Sequence, residues 1–168
     1  MYRFERRTDD ELVLTLFEGE VALLTMLLAE LRALLLQPER DNAATERLFP
    51  RAYLDPTEEE AETDWQSLVH DDLVREKVIA LDAVQAALER PSPGPEGSRH
   101  FTLDRAVEEQ FLLSVNDARL AFAALAGVAG ETGPESGADD PIPVAELIEW
   151  LGHLLEDLID LKLADLPD

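Results

Sequence analysis

The stretch that decides the fold is Leu12-Val13-Leu14-Thr15-Leu16-Phe17-Glu18, running on through Leu24, Leu27, Leu28, Leu31, Leu34 and Leu35 to Gln37. Its first five residues are rich in branched side chains, as a buried strand requires. From Phe17 the apolar residues recur at helical spacing instead. Thr15 followed by Glu18 has the spacing of a capping box, which places the change from strand to helix near Phe17. Pro38 stops the helix. Leu23 and Leu36 widen its apolar face beyond one stripe, the mark of a central helix covered on several sides. Met26 lies within this segment and is expected to be buried.

Upstream, Tyr2-Arg3-Phe4-Glu5-Arg6-Arg7 alternates ring and charge, and Thr8-Asp9-Asp10 has turn chemistry. Residues 2–16 therefore read as an antiparallel hairpin. Downstream, residues 17–163 read as a helical core. Asn42 to Phe49 is a short helix ended by Pro50. Asp55-Pro56 is a helix start, with Asp at the N-cap and Pro in the first turn. Trp65 and Leu68 give that helix its apolar side. His70-Asp71-Asp72 reads as a break, with a new helix from Asp72 to Arg90 that points Leu73, Val78, Leu81, Val84 and Leu88 inward. Residues 91–99 form a loop with three prolines and two glycines. His100-Phe101-Thr102-Leu103 is a short strand that can join the hairpin. Asp104 caps a helix carrying Phe111, Leu112, Val115, Ala118 and Phe122. A second loop, 127–143, leads to a last helix through Leu147, Leu151, Leu154, Leu158 and Leu161, and residues 163–168 form a frayed tail. The expected fold is mainly α: a single domain over 1–168, with five or six helices, a small N-terminal hairpin and a possible third strand at 100–103. The helices after Leu16 and Leu103 are expected at its centre.

One internal echo bears on that arrangement. Leu14-Thr15-Leu16 resembles Phe101-Thr102-Leu103, and the same offset of 87 matches Leu24 with Phe111, Leu28 with Val115 and Arg32 with Arg119. Either two similar strand-to-helix units pair through their strands, or two apolar helices align by coincidence.

The chain has 168 residues, of which 46% are apolar, so it can build a sizeable core. Fourteen basic residues against 37 acids leave a net charge of −23, and the isoelectric point is about 4.2. Such a charge repels nucleic-acid phosphate and anionic lipid, which excludes general nucleic-acid binding and membrane adsorption. The absence of cysteine removes disulfides, thiol catalysis and cysteine-ligated metals together. The N-terminus lacks the apolar core of a secretion signal, and no stretch is apolar enough to span a bilayer, so the expected location is the cytoplasm.

Little in the sequence points to catalysis. There is no phosphate-binding glycine loop and no nucleophile elbow. Paired carboxylates are too numerous for an acid–base pair to stand out. The one metal-like grouping is Glu149, His153 and Glu156 on the last helix. A carboxylate beside a histidine is expected by chance at this composition, and no cofactor is assigned. Trp65 and Trp150 read as core or half-buried residues, Trp150 being the better interface candidate. Asn116-Asp117-Ala118-Arg119 places an amide, an acid and a guanidinium inside an apolar helical period. Its ordinary reading is a structural polar cluster in which Arg119 pairs with an acid or caps loop carbonyls. Arg3, Arg6 and Arg7 make the one basic spot. They read as a solvated strand face or, with Phe49, Arg51 and Tyr53, as a surface for a partner.

Several short stretches resemble motifs of one family. Arg47-Leu48-Phe49-Pro50 with Ala52-Tyr53 is similar to an R-L-F-P-x-A-Y run. Asp72-Leu73 with Arg75 and Lys77 is similar to a D-L-R-x-x-K helix. Asn116-Asp117 with Arg119-Leu120 is similar to L-N-D-x-R-L, here with Val115 in the leucine place. Trp150-Leu151 and Leu154 are similar to a closing W-L helix. In this order they resemble an actinobacterial family of unknown function that includes AosR-type oxidative-stress transcriptional regulators. The resemblance implies a non-enzymatic regulator working through protein contacts with a sigma factor or RNA polymerase. A partnership with the Clp adaptor and protease, or a homodimeric scaffold, is the alternative, and a metal-binding helical enzyme ranks behind both. Redox sensing by a cysteine pair, proposed within that family, cannot operate in this cysteine-free chain.

Overall fold

A computed structural model describes residues 1–37, 42–129 and 143–164. Pro38, most of the loop expected at 127–143 and the end of the tail lie outside the described residues. Strands β1 (Arg3–Thr8) and β2 (Glu11–Leu16) form the expected hairpin and lead into α1 (Glu18–Leu36). A short α2 (Ala43–Leu48) and a 3-10 turn (Pro56–Glu58) precede the long α3 (Glu59–Leu88). Then come β3 (Ser92–Pro93), a second 3-10 turn (Pro95–Gly97), β4 (Arg99–Asp104), α4 (Arg105–Ala129) and α5 (Val144–Ala164). The sheet is antiparallel throughout, in the order β1-β2-β4-β3.

The centre of the sheet is the β2–β4 pair. Leu14 lies opposite Phe101, and Leu12 opposite Leu103. Alternation along a strand puts these side chains and Leu16 on one face, where all are fully buried. Beneath that face lie Leu24, Leu28 and Leu31 of α1 and Phe111, Val115 and Ala118 of α4, in one continuous core with Leu151, Leu154 and Leu158 of α5. The echo at an offset of 87 thus corresponds to two strand–strand–helix units, β1-β2-α1 and β3-β4-α4. Their inner strands pair around Leu14 and Phe101. Helices α1 and α4 are central, as their wide apolar faces require.

Five local expectations are corrected. The cap of α1 is at Phe17, not Thr15, which still pairs in β2 with His100. The Glu20 carboxylate accepts from the Phe17 amide at 3.0 Å and from the Tyr2 amide at 2.8 Å, tying the start of β1 to the helix. Helix α3 passes without a break through His70-Asp71-Asp72. The Phe49 ring packs against His70, centroids 4.7 Å apart, and Asp72 pairs with Arg75 within the helix, so the polar run is held in helical form. Met26 is half exposed, since no described residue covers that side of α1, and Leu73 is also exposed. The 91–99 loop includes edge strand β3 and a tight turn. There Gly94 is required: a Cβ would lie 2.4 Å from Ser98 Oγ.

The β2–β4 pairing predicts a sharp contrast between two apolar truncations. Phe101→Ala should lower unfolding free energy by about 3–5 kcal/mol. Leu113→Ala, at an exposed site on α4, should change it by less than about 0.5 kcal/mol. Urea titration checks both, and equal losses would contradict the assignment of the core.

Candidate functional site

Helix α4 is the hub on which the polar residues are arranged. Its first turn carries Glu108, 2% exposed. Arg6 of β1 meets this carboxylate in a two-pronged pair at 2.6 and 3.0 Å, and Lys162 of α5 lies 3.4 Å away. Strand parity explains the placement. Tyr2, Phe4 and Arg6 share the inward face of β1, whereas Arg3, Glu5 and Arg7 face solvent. The three arginines expected to act together are therefore divided: Arg3 and Arg7 are exposed, and Arg6 secures the sheet to α4. Beside Arg6, edge-on ring contacts run from Trp150 through Tyr2 and Phe4 to Phe111. The Tyr2 hydroxyl donates to Asp157 at 2.7 Å. Burial and then that carboxylate raise its pKa well above the ordinary phenol value.

The Asn116-Asp117-Ala118-Arg119 cluster is split between two neighbours. Asp117 turns to α3 and accepts from Lys77 Nζ at 2.7 Å. That pair borders a groove of about 180 Å³ with Leu31, Leu73 and Ala80. Asn116 and Arg119 turn the other way and line a cavity of about 360 Å³ along α5, with Gly152, Glu156 and Asp160. The expectation that Arg119 pairs with an acid is not met among the described residues. Its Nε is buried without an acceptor. An orphan of this kind ordinarily costs about 1–3 kcal/mol. Arg32, its counterpart at the offset of 87, does find a partner in Asp82 of α3.

The partner-binding candidates on the α2–α3 connection are held by Glu62. This buried carboxylate accepts from the amides of Ala52 (3.0 Å) and Tyr53 (2.8 Å) and from the Gln66 side chain (2.8 Å). The Gln66 amide first, then the Tyr53 N–H, hold its pKa below the usual carboxylate range. Arg51 pairs with Glu59 at 2.6 Å, Phe49 is buried, and Tyr53 is partly exposed. This segment is secured by α3, while the arginine strand is secured by α4 and α5, so the two do not share their anchoring residues. Sequence reasoning missed Glu62 and Glu108, since nothing local distinguishes them from 35 other acids.

Glu149, His153 and Glu156 are exposed on α5. Among the described residues, no three or more His, Asp or Glu side chains come together as a metal-holding group. Likewise, no described helix is long and apolar enough to cross a membrane.

The Glu108 pair sets a pH dependence. Burial pushes the Glu108 carboxyl pKa up, but the Arg6 hydrogen bond and charge, with Lys162, outweigh it and hold the pKa below the ordinary value. A group depressed on folding adds stability above its unfolded pKa, near 4.3, and loses it as pH falls through the folded value. Glu108→Gln should therefore weaken the fold at pH 7 by about 3 kcal/mol and flatten the loss of stability below about pH 4.5. Chemical denaturation at stepped pH checks this, and parallel pH profiles for the two proteins would refute it.

No curated protein and no solved structure matches the chain significantly. A family model does match, over residues 1–161, nearly the full length. The chain belongs to the family described as a domain of unknown function, DUF2017.

Proposed function

We propose that the chain is a non-enzymatic, acidic interaction protein that acts in transcription through protein contacts, with a sigma factor or RNA polymerase as the partner. The observation that carries this reading is the outward side of the first half of α3. Trp65 is 40% exposed and Leu68 76% exposed, one helical turn apart, with Leu54 exposed just upstream. Glu60, Asp64, Asp71 and Asp72 surround them, all exposed. Large apolar side chains set among acids suit a basic segment that carries its own apolar anchors. Aromatic residues dominate such contacts energetically, and complementary charge speeds encounter. A net charge of −23 strengthens the same preference.

The motif resemblance supports the choice of partner class. The contact surface moves, however, from the arginine strand to α3 beside Arg51 and Tyr53, because Arg6 is committed to Glu108. Thiol chemistry forms no part of this function, since cysteine is absent.

Binding of the immobilised chain to the purified sigma factors and core polymerase of its own organism tests the reading. The expected result is capture that weakens as salt rises and falls about tenfold in a Trp65→Ala, Leu68→Asp variant. Both positions are exposed, so circular dichroism should show an intact fold. Equal capture by the variant, or no capture of any sigma factor or of core polymerase, would overturn the proposal.

A further inference from the structure

The seam between α4 and α5 holds a cavity that none of the roles above uses. Its walls include Leu112, Asn116 and Arg119 of α4 and Gly152, Glu156 and Ile159 of α5. At about 360 Å³ it falls within the size range of small-molecule sites. Gly152 lies beside Arg119, where an added Cβ would sit 4.0 Å from the Arg119 Cδ, in ordinary contact with the stem. The guanidinium has no hydrogen bond or ion pair to any described residue, and its Nε is shielded from solvent without an acceptor. Arg6, Arg32, Arg51 and Arg75 all have a carboxylate partner. Other arginines of the chain also lack a carboxylate, but Arg119 is the one whose guanidinium carries a buried nitrogen without an acceptor among the described residues.

Electrostatics narrows what would satisfy it. A simple anion would meet Arg119 but also face Glu156 and Asp160 on the same wall. The overall charge of −23 repels it further. A zwitterion carries no such penalty. Its carboxylate can take the two-pronged geometry that a guanidinium offers, with the Asn116 amide as a further donor. Its ammonium can meet Glu156, one helical turn (about 5.4 Å) from Gly152. An aliphatic tail would then lie on Leu112 and Ile159. We infer that this cavity is a binding site for a small zwitterion with an apolar side chain, an aliphatic α-amino acid, held by Arg119 and Glu156.

The test uses L-leucine as the probe on the full chain, by calorimetry and thermal shift. 4-Methylpentanoate, which lacks the ammonium, and 3-methylbutylamine, which lacks the carboxylate, serve as half-ligands. The expected result is binding in about the millimolar range or tighter, with each half-ligand at least about tenfold weaker. Arg119→Gln and Glu156→Gln should each weaken leucine binding by about tenfold or more. The free Arg119→Gln protein should melt no lower than wild type, because it loses an unpaired buried group. Glu156→Gln, at an exposed site, keeps the test valid if the first variant folds poorly. No heat and no thermal shift with leucine would overturn the inference. So would leucine binding unchanged in both variants, or inorganic phosphate binding through Arg119 in leucine's place.

Discussion

The antiparallel pairing of β2 with β4, Leu14 facing Phe101, is the constraint on which the rest of the structure depends. A sheet with one apolar face must cover it, and each inner strand leads into the helix that does so. Helices α1 and α4 arrive from opposite strands of the same pair and share the buried face. Their flanks are then covered by α3 and α5, and the outer strands β1 and β3 extend the sheet on either side. The offset of 87 between the two units and the register of the strands describe the same arrangement.

Charge is the second constraint. A chain with 37 acids and 14 bases cannot neutralise itself, and the described contacts show where the bases go. Arg6 and Lys162 converge on buried Glu108, Lys77 meets Asp117, and Arg32 meets Asp82. Each of these pairs joins two elements. The first two tie α4 to β1, α5 and α3, and the third ties α1 to α3; at buried Glu108, removing Arg6 would strand a charge out of water. Two features stand outside that economy. The first half of α3 presents apolar side chains among acids, and Arg119 faces a cavity without a partner among the described residues. The first suits contact with a basic protein surface, and the second suits a small ligand.

Much of this was legible in the sequence, because strand and helix periods are local. The hairpin, the strand at Phe101, the α1 and α4 cores and the Asp55-Pro56 and Asp104 caps follow from spacing and turn chemistry. What escaped depends on tertiary partners. His70-Asp71-Asp72 resembles a recapping point, but Phe49 packs on His70 and the helix continues. Thr15 has capping spacing, but the sheet claims it first. Arg6 belongs by strand parity to the ring face and not to the charged one, a signal present in the sequence and masked by its basic neighbours. Asp117 and Arg119 are two residues apart, so they leave the helix in different directions and meet different helices. Their joint reading as one polar cluster could not survive the presence of α3 on one side and α5 on the other.

Native-state hydrogen exchange resolved by residue tests the central claim most directly, that the β2–β4 pair anchors the molecule while the first half of α3 is a loosely held outer surface. The account predicts that the amides of Leu12 to Leu16, Phe101 and Leu103 exchange last, together with the middle of α4, through a single global opening. Amides of Glu59 to Asp72 should exchange well before them. Exchange of the central strands ahead of that part of α3 would contradict the account.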